Sequence, residues 1–125
     1  DFLNDLKKYD FLLGVATSAP QANMDLVWDA LGIRDLFDST LSSEDVKLHK
    51  PHPEVYLKSA EVLGVPVQNA MVFEDSFSGV TAGKAAGMKV TGVLTSHKKE
   101  ELPPCAAYIR DYRDINAATV KSLLK

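Results

Sequence analysis

The chain has 125 residues, 46% of them apolar and 25% charged, with a net charge of -3 and a pI near 5.5. These values suit one ordinary globular domain, and they argue against nucleic acid or an anionic membrane surface as the main partner, though not against a phosphorylated small molecule held at a locally basic site. The single cysteine, Cys105, excludes an intrachain disulfide, and with no signal-like or long apolar segment the expectation is a cytoplasmic protein.

The first residues already read as helix, with Phe2, Leu3 and Leu6 as the apolar stripe. Phe11 to Ala16 is a continuous apolar run that suits a strand buried on both faces. Asn23 to Leu31 has helical spacing and Gly32 as a stop. Leu36 to Leu41 reads as a short strand, and Ser42 to His52 as a polar loop. Pro53 suits a first helical position, with Tyr56, Leu57, Ala60 and Leu63 on one face and Gly64 as the stop. Ala70 to Phe73 is the next strand and Ser78 to Ala86 the next helix, closed by Gly87. Lys89 to Leu94 and Ala107 to Ile109 are further strands, and a last helix runs from about Ile115 to Leu124.

Strands alternating with helices imply right-handed crossovers and a mostly parallel sheet covered on both faces, a Rossmann-like α/β sandwich. Working residues in such sheets sit just beyond the C-terminal strand ends. That rule selects Thr17-Ser18, Glu74-Asp75 and Thr95-Ser96. Lys50 can join them from the loop before a helix whose N-terminus favours anions.

The chemistry of these groups converges on one task. A hydroxyl and an ammonium suit an anionic oxygen cluster such as a phosphoryl group. Adjacent carboxylates repel each other unless a cation lies between them, and Mg2+ takes one or two carboxylates together with waters and a phosphate oxygen. Singly, each residue has a plainer reading. Thr17 and Ser18 suit a turn, Lys50 a solvated loop and Asp75 the N-cap of the following helix. His49 and His52 lack a third ligand and read as loop histidines, and Cys105 as a half-buried thiol. Gly79, Gly83 and Gly87 recur every fourth residue, which suits close helix packing better than a membrane dimer motif.

Three segments, "LLGVATSAP", "HKPHPEVY" and "VFEDSFSGVTAGKAAGM", resemble the second, third and fourth motifs of the haloacid dehalogenase-like hydrolases. The nearest branch is that of beta-phosphoglucomutase and small sugar-phosphate phosphatases. "AAYIRDYRDI" resembles the strand and acidic turn that close such chains. The resemblance implies that Thr17 hydrogen-bonds a phosphoryl oxygen and that Ser18 offers its backbone N–H. It implies that Lys50 pairs with the phosphoryl group and the nucleophilic carboxylate. Glu74 and Asp75 would bind Mg2+, Asp75 the more firmly, with Ser76 supporting the loop. The charge of Lys50 is expected to serve the site and not the fold.

The family's first motif, an apolar strand leading into "DxDGT", has no counterpart. It carries the nucleophilic Asp, which forms an aspartyl-phosphate, and the Asp that acts as general acid and base. Asp1, Asp5, Asp10, Asp111 and Asp114 are wrongly placed to replace them. The expectation is therefore that residues 1–125 form the C-terminal portion of a core domain whose central first strand and helical cap lie upstream. Alone, they should not turn over substrate. The parent would be an Mg2+-dependent phosphate-monoester hydrolase acting on a small phosphorylated metabolite, with a monomer favoured. The alternatives are a phosphosugar mutase and a non-catalytic relic of the fold. A true dehalogenase is disfavoured, since it needs no acid pair for Mg2+.

Overall fold

The computed structural model describes residues 2–17, 22, 26, 30 and 36–124. The helix expected over Asn23 to Leu31 falls largely outside these residues, as does Ser18. Among the described residues the elements follow in the order α1 (Phe2–Lys8), β1 (Gly14–Ala16), β2 (Ser39–Leu41), α2 (Glu54–Leu63), β3 (Met71–Glu74), α3 (Phe77–Ala85), β4 (Lys89–Val93), β5 (Ala107–Ile109) and α4 (Ala117–Leu124). Short 3-10 turns occupy several connections, and the one at Ser43–Asp45 interrupts the expected polar loop.

Among the described residues all strand pairing is parallel, and it falls into two ladders. β1 pairs with β2 from Gly14–Ser39 to Ala16–Leu41. β3, β4 and β5 form the second ladder, with Phe73 opposite Thr91 and Val93 opposite Ile109. Among the described residues β1 bonds only β2, and β3 bonds only β4. A cavity of about 1090 Å³ lies between the ladders, lined by Val15 and Ala16 on one side and by Met71 and Phe73 on the other.

Strand alternation sorts the second ladder into two faces. Val72 and Val90 point toward α2 and α3, where they pack with Val55, Tyr56, Val80 and Met88. Val93 and Ile109 point the other way, toward α1 and α4, and join Leu6, Ile115, Ala117 and Val120. The three-layer α/β/α arrangement follows from these two apolar clusters on opposite faces of one sheet.

Several local expectations need adjusting. β1 is shorter than the run Phe11 to Ala16, because ladder bonds form only where β2 is alongside, and Leu12 is 49% exposed. On α2 the inward face carries Val55, Tyr56, Ser59 and Ala60, while Leu57 points outward. Pro53 is the N-cap of α2, and Gly64 ends it at φ 69°. Asp10, at φ 64°, closes α1. The outer helices are tied together by Asp5, whose Oδ2 accepts from the Ala117 N–H at 2.8 Å and caps α4.

The three spaced glycines have three separate causes. Gly87 adopts φ 84°, a conformation that L side chains rarely take. Gly83 lets α3 lie against β3 and β4, since a Cβ there would stand 2.8 Å from Val90 Cγ2. Gly79 makes room for the Glu74 carboxylate. Gly83→Ala is therefore expected to destabilise the complete protein by about 1–3 kcal/mol through overpacking. A urea melt checks this, and an unchanged midpoint would show that α3 can shift without cost.

Candidate active site

The site is assembled where β1 and β3 end, on opposite sides of the cavity. Thr17 follows β1 directly, half-buried, and its N–H extends the ladder by donating to Leu41 O at 3.0 Å. Glu74 is the last residue of β3. The two-residue period places it on the same face as Val72, so a carboxylate enters a position that the sheet would otherwise fill with an apolar side chain. Asp75, one residue on, is exposed. Ser76 caps α3, with its Oγ accepting from Gly79 N at 3.0 Å, so Ser76 holds the N-cap position expected of Asp75.

Lys50 reaches the same place from the loop before α2. Its Nζ donates to Ala16 O at 3.2 Å and stands 2.5 Å from Glu74 Oε2. It therefore bridges the end of β1 to the end of β3. The two side chains are only 12% and 9% exposed, so this is a buried ion pair and not a solvated lysine. The Tyr56 hydroxyl, presented from α2, donates to the same Glu74 oxygen at 2.5 Å. The Lys50 ammonium also lies 5.1 Å from the centre of the Tyr56 ring. Burial, then the Glu74 charge and its hydrogen bond, push the Tyr56 phenol well above its usual range, which keeps it a proton donor.

Among the described residues Glu74 thus has two strong partners on Oε2, and on Oε1 only the Ser76 hydroxyl at 3.4 Å. Its carboxyl group sits against the bare Cα of Gly79, where any Cβ would overlap it. Thr17, Lys50, Glu74 and Asp75 all line the one cavity. Thr95 and Ser96 lie in an exposed turn after β4 and do not line it. The following His97 does approach the acids, with its Nδ1 2.9 Å from Asp75 O. His52 Nδ1 accepts from Glu54 N at 3.1 Å, and His49 is exposed. Burial raises the Cys105 thiol, which donates to Pro103 O.

The donor set fits a hard cation only in part. Glu74 and Asp75 offer carboxylate oxygens, and no group of three or more metal-ligating side chains occurs among the described residues. Mg2+ accepts such a set, since it keeps several waters and takes one or two carboxylates.

The haloacid dehalogenase-like hydrolase family matches residues 1–93, and the chain belongs to that family. It is 32% identical over 115 residues to validoxylamine A 7'-phosphate phosphatase of Streptomyces hygroscopicus subsp. limoneus, covering 92% of this chain and 54% of that protein. It is 39% identical over 83 residues to hexitol phosphatase B of Escherichia coli K12, covering 66% and 37% respectively. Among solved structures, a HAD hydrolase of family IA, variant 3, from Entamoeba histolytica superposes with a TM-score of 0.90 at 25% identity, over 98% of this chain and 57% of that one. A beta-phosphoglucomutase from Clostridium difficile superposes with a TM-score of 0.86 at 30% identity, over 98% and 52%. The chain thus spans about half or less of the length of these relatives.

Apolar spacing in the sequence places Tyr56 only on a helix face. A tyrosine on a buried face needs a partner for its hydroxyl, and that was the available signal. The expectation that Lys50 serves the site and not the fold needs amending, because Lys50 also neutralises a buried carboxylate. Lys50→Met is expected to destabilise the complete protein by about 3–5 kcal/mol, as for removal of one partner of a buried pair. A melt close to wild type would show that Glu74 can be left without its cation. Gly79→Ala is expected to expel the Glu74 carboxylate, seen in a crystal structure of the variant as loss of the Lys50 contact. Retention of that contact would show that α3 moves instead.

Proposed function

We propose that this chain is the phosphoryl-handling, C-terminal part of the core domain of an Mg2+-dependent phosphate-monoester hydrolase acting on a small phosphorylated metabolite in the cytoplasm. The observation that carries the reading is the convergence of Thr17, Lys50, Glu74 and Asp75 on one cavity at the C-terminal ends of β1 and β3. The phosphatase names of the relatives at 32% and 39% identity support it.

An upstream strand is proposed to lie in the cavity between β1 and β3. Their facing edges carry backbone donors and acceptors that a parallel strand would pair. Such a strand would end beside Lys50 and place its Asp there as nucleophile. That carboxylate attacks phosphorus and forms an aspartyl-phosphate as the bond to the substrate oxygen breaks. The second Asp of the same strand protonates the departing alcohol, then takes a proton from the water that hydrolyses the intermediate. Thr17 and the Ser18 N–H hold phosphoryl oxygens, and Lys50 offsets their charge. A bound Mg2+, held by Asp75 and Glu74, supplies electrostatic stabilisation of the transferring group.

A mutase reading draws support from the beta-phosphoglucomutase superposition. The two readings differ in product. Phosphorus NMR of the full-length protein with phosphorylated sugars and polyols shows inorganic phosphate for a hydrolase and an isomeric sugar phosphate for a mutase. Neither product with any of them would favour a non-catalytic relic. Asp75→Asn is expected to lower turnover at least about 100-fold, with partial recovery at high Mg2+, since even outer-shell changes at metal sites cost 10–100-fold. Full turnover by this variant at low Mg2+ would remove Asp75 from the metal site.

A further inference from the structure

Tyr56 belongs to the buried face of α2 and is 7% exposed, yet it aims its hydroxyl at a carboxylate. It and Lys50 both approach Glu74 Oε2 at 2.5 Å, whereas among the described residues Oε1 has only the long contact from Ser76. The two carboxylate oxygens are therefore unequal. One is saturated by an ammonium and a phenol, and the other retains its acceptor capacity. Gly79 leaves the space in which the carboxyl group is seated, but a bare Cα does not set which oxygen meets which donor. A hydrogen bond from a rigid ring does, because Tyr56 is anchored in the core with Val55, Val72 and Val80.

We propose that Tyr56 is a positioning residue for the metal site: its hydroxyl fixes the Glu74 carboxylate so that Oε2 stays with Lys50 and Oε1 is left for a divalent cation or a water bound to it. This rests on the assignment of Glu74 and Asp75 to Mg2+. Lys50 cannot do this alone. Its four-carbon stem is flexible, and its ammonium also donates to Ala16 O. The phenol adds a second, directional restraint, so that the carboxylate does not have to be reordered each time a cation binds.

The test uses the full-length protein and Mg2+ alone, titrated calorimetrically without substrate. Tyr56→Phe keeps the ring and removes the hydroxyl. It should raise the Mg2+ dissociation constant roughly 10-fold, the lower end of what a lost hydrogen bond to a charged group produces. Tyr9→Phe, at an exposed position that does not line the cavity, should leave the constant unchanged. Should Tyr56→Phe not fold, 3-fluorotyrosine placed at Tyr56 gives a second measurement, its fluorine resonance shifting with Mg2+ at the wild-type constant. A wild-type Mg2+ constant in Tyr56→Phe, with only a lowered melting temperature, would reduce Tyr56 to packing. Equal weakening by Tyr9→Phe, or a fluorine signal indifferent to Mg2+, would also overturn the inference. A wild-type protein that binds no Mg2+ would overturn the metal assignment itself, an outcome distinct from the others.

Discussion

The fold turns on a buried contact between Lys50 and Glu74. Two parallel ladders stand on either side of a cavity, and this pair joins their C-terminal ends, with Ala16 O as the third point. A buried ion pair is weak evidence for net stability, because desolvation consumes much of its attraction. It is better evidence for specificity. Glu74 meets both Lys50 and Tyr56, so the carboxylate ties β3 to the loop before α2 and to α2 itself.

That tie explains why so many constraints meet within a short stretch. Phe73 packs outward into an aromatic group with Phe2 and Tyr112, at ring separations of 5.5 and 6.0 Å, while Glu74 turns inward. Ser76 caps α3, and Gly79 gives the carboxylate its seat. The tandem acids are consequently unlike each other. Glu74 is held in place by protein groups, while Asp75 is exposed and approached by the His97 ring through its carbonyl. One acid is tied into the protein framework, and the other lies exposed at the lining of the cavity.

Much of this could be read from the residues. The order of strands and helices follows from apolar runs punctuated by Gly and Pro, and the rule about strand ends selects Thr17, Glu74 and Asp75, with Lys50 joining them from the loop before α2. Other features were out of reach for identifiable reasons. Which oxygen of Glu74 meets which donor depends on side-chain geometry between segments far apart in sequence. β1 is shorter than its apolar run because ladder length depends on the partner strand. Spacing alone puts Leu57 on the inner face of α2, although Val55 and Ser59 occupy it. Thr95 and Ser96 satisfied the strand-end rule yet line no part of the cavity, since that rule identifies an edge and not a point along it.

The hydrogen bond from the Ala117 amide to Asp5 joins positions 112 residues apart. It couples α1, near the start of the described chain, to the cap of α4 at its end, on the face where Leu6 meets Ile115 and Val120. During synthesis the α2–β3–α3–β4 segment can assemble from nearby contacts, but the α1–α4 layer must wait for the last residues to emerge. Until then the apolar side of α1 is covered by Leu13, Phe73 and Val93 but not by α4. Pulse-labelling hydrogen exchange during refolding would show this as late protection of the Ala117 amide. Early protection there would mean that the outer layer forms without the order its sequence separation suggests.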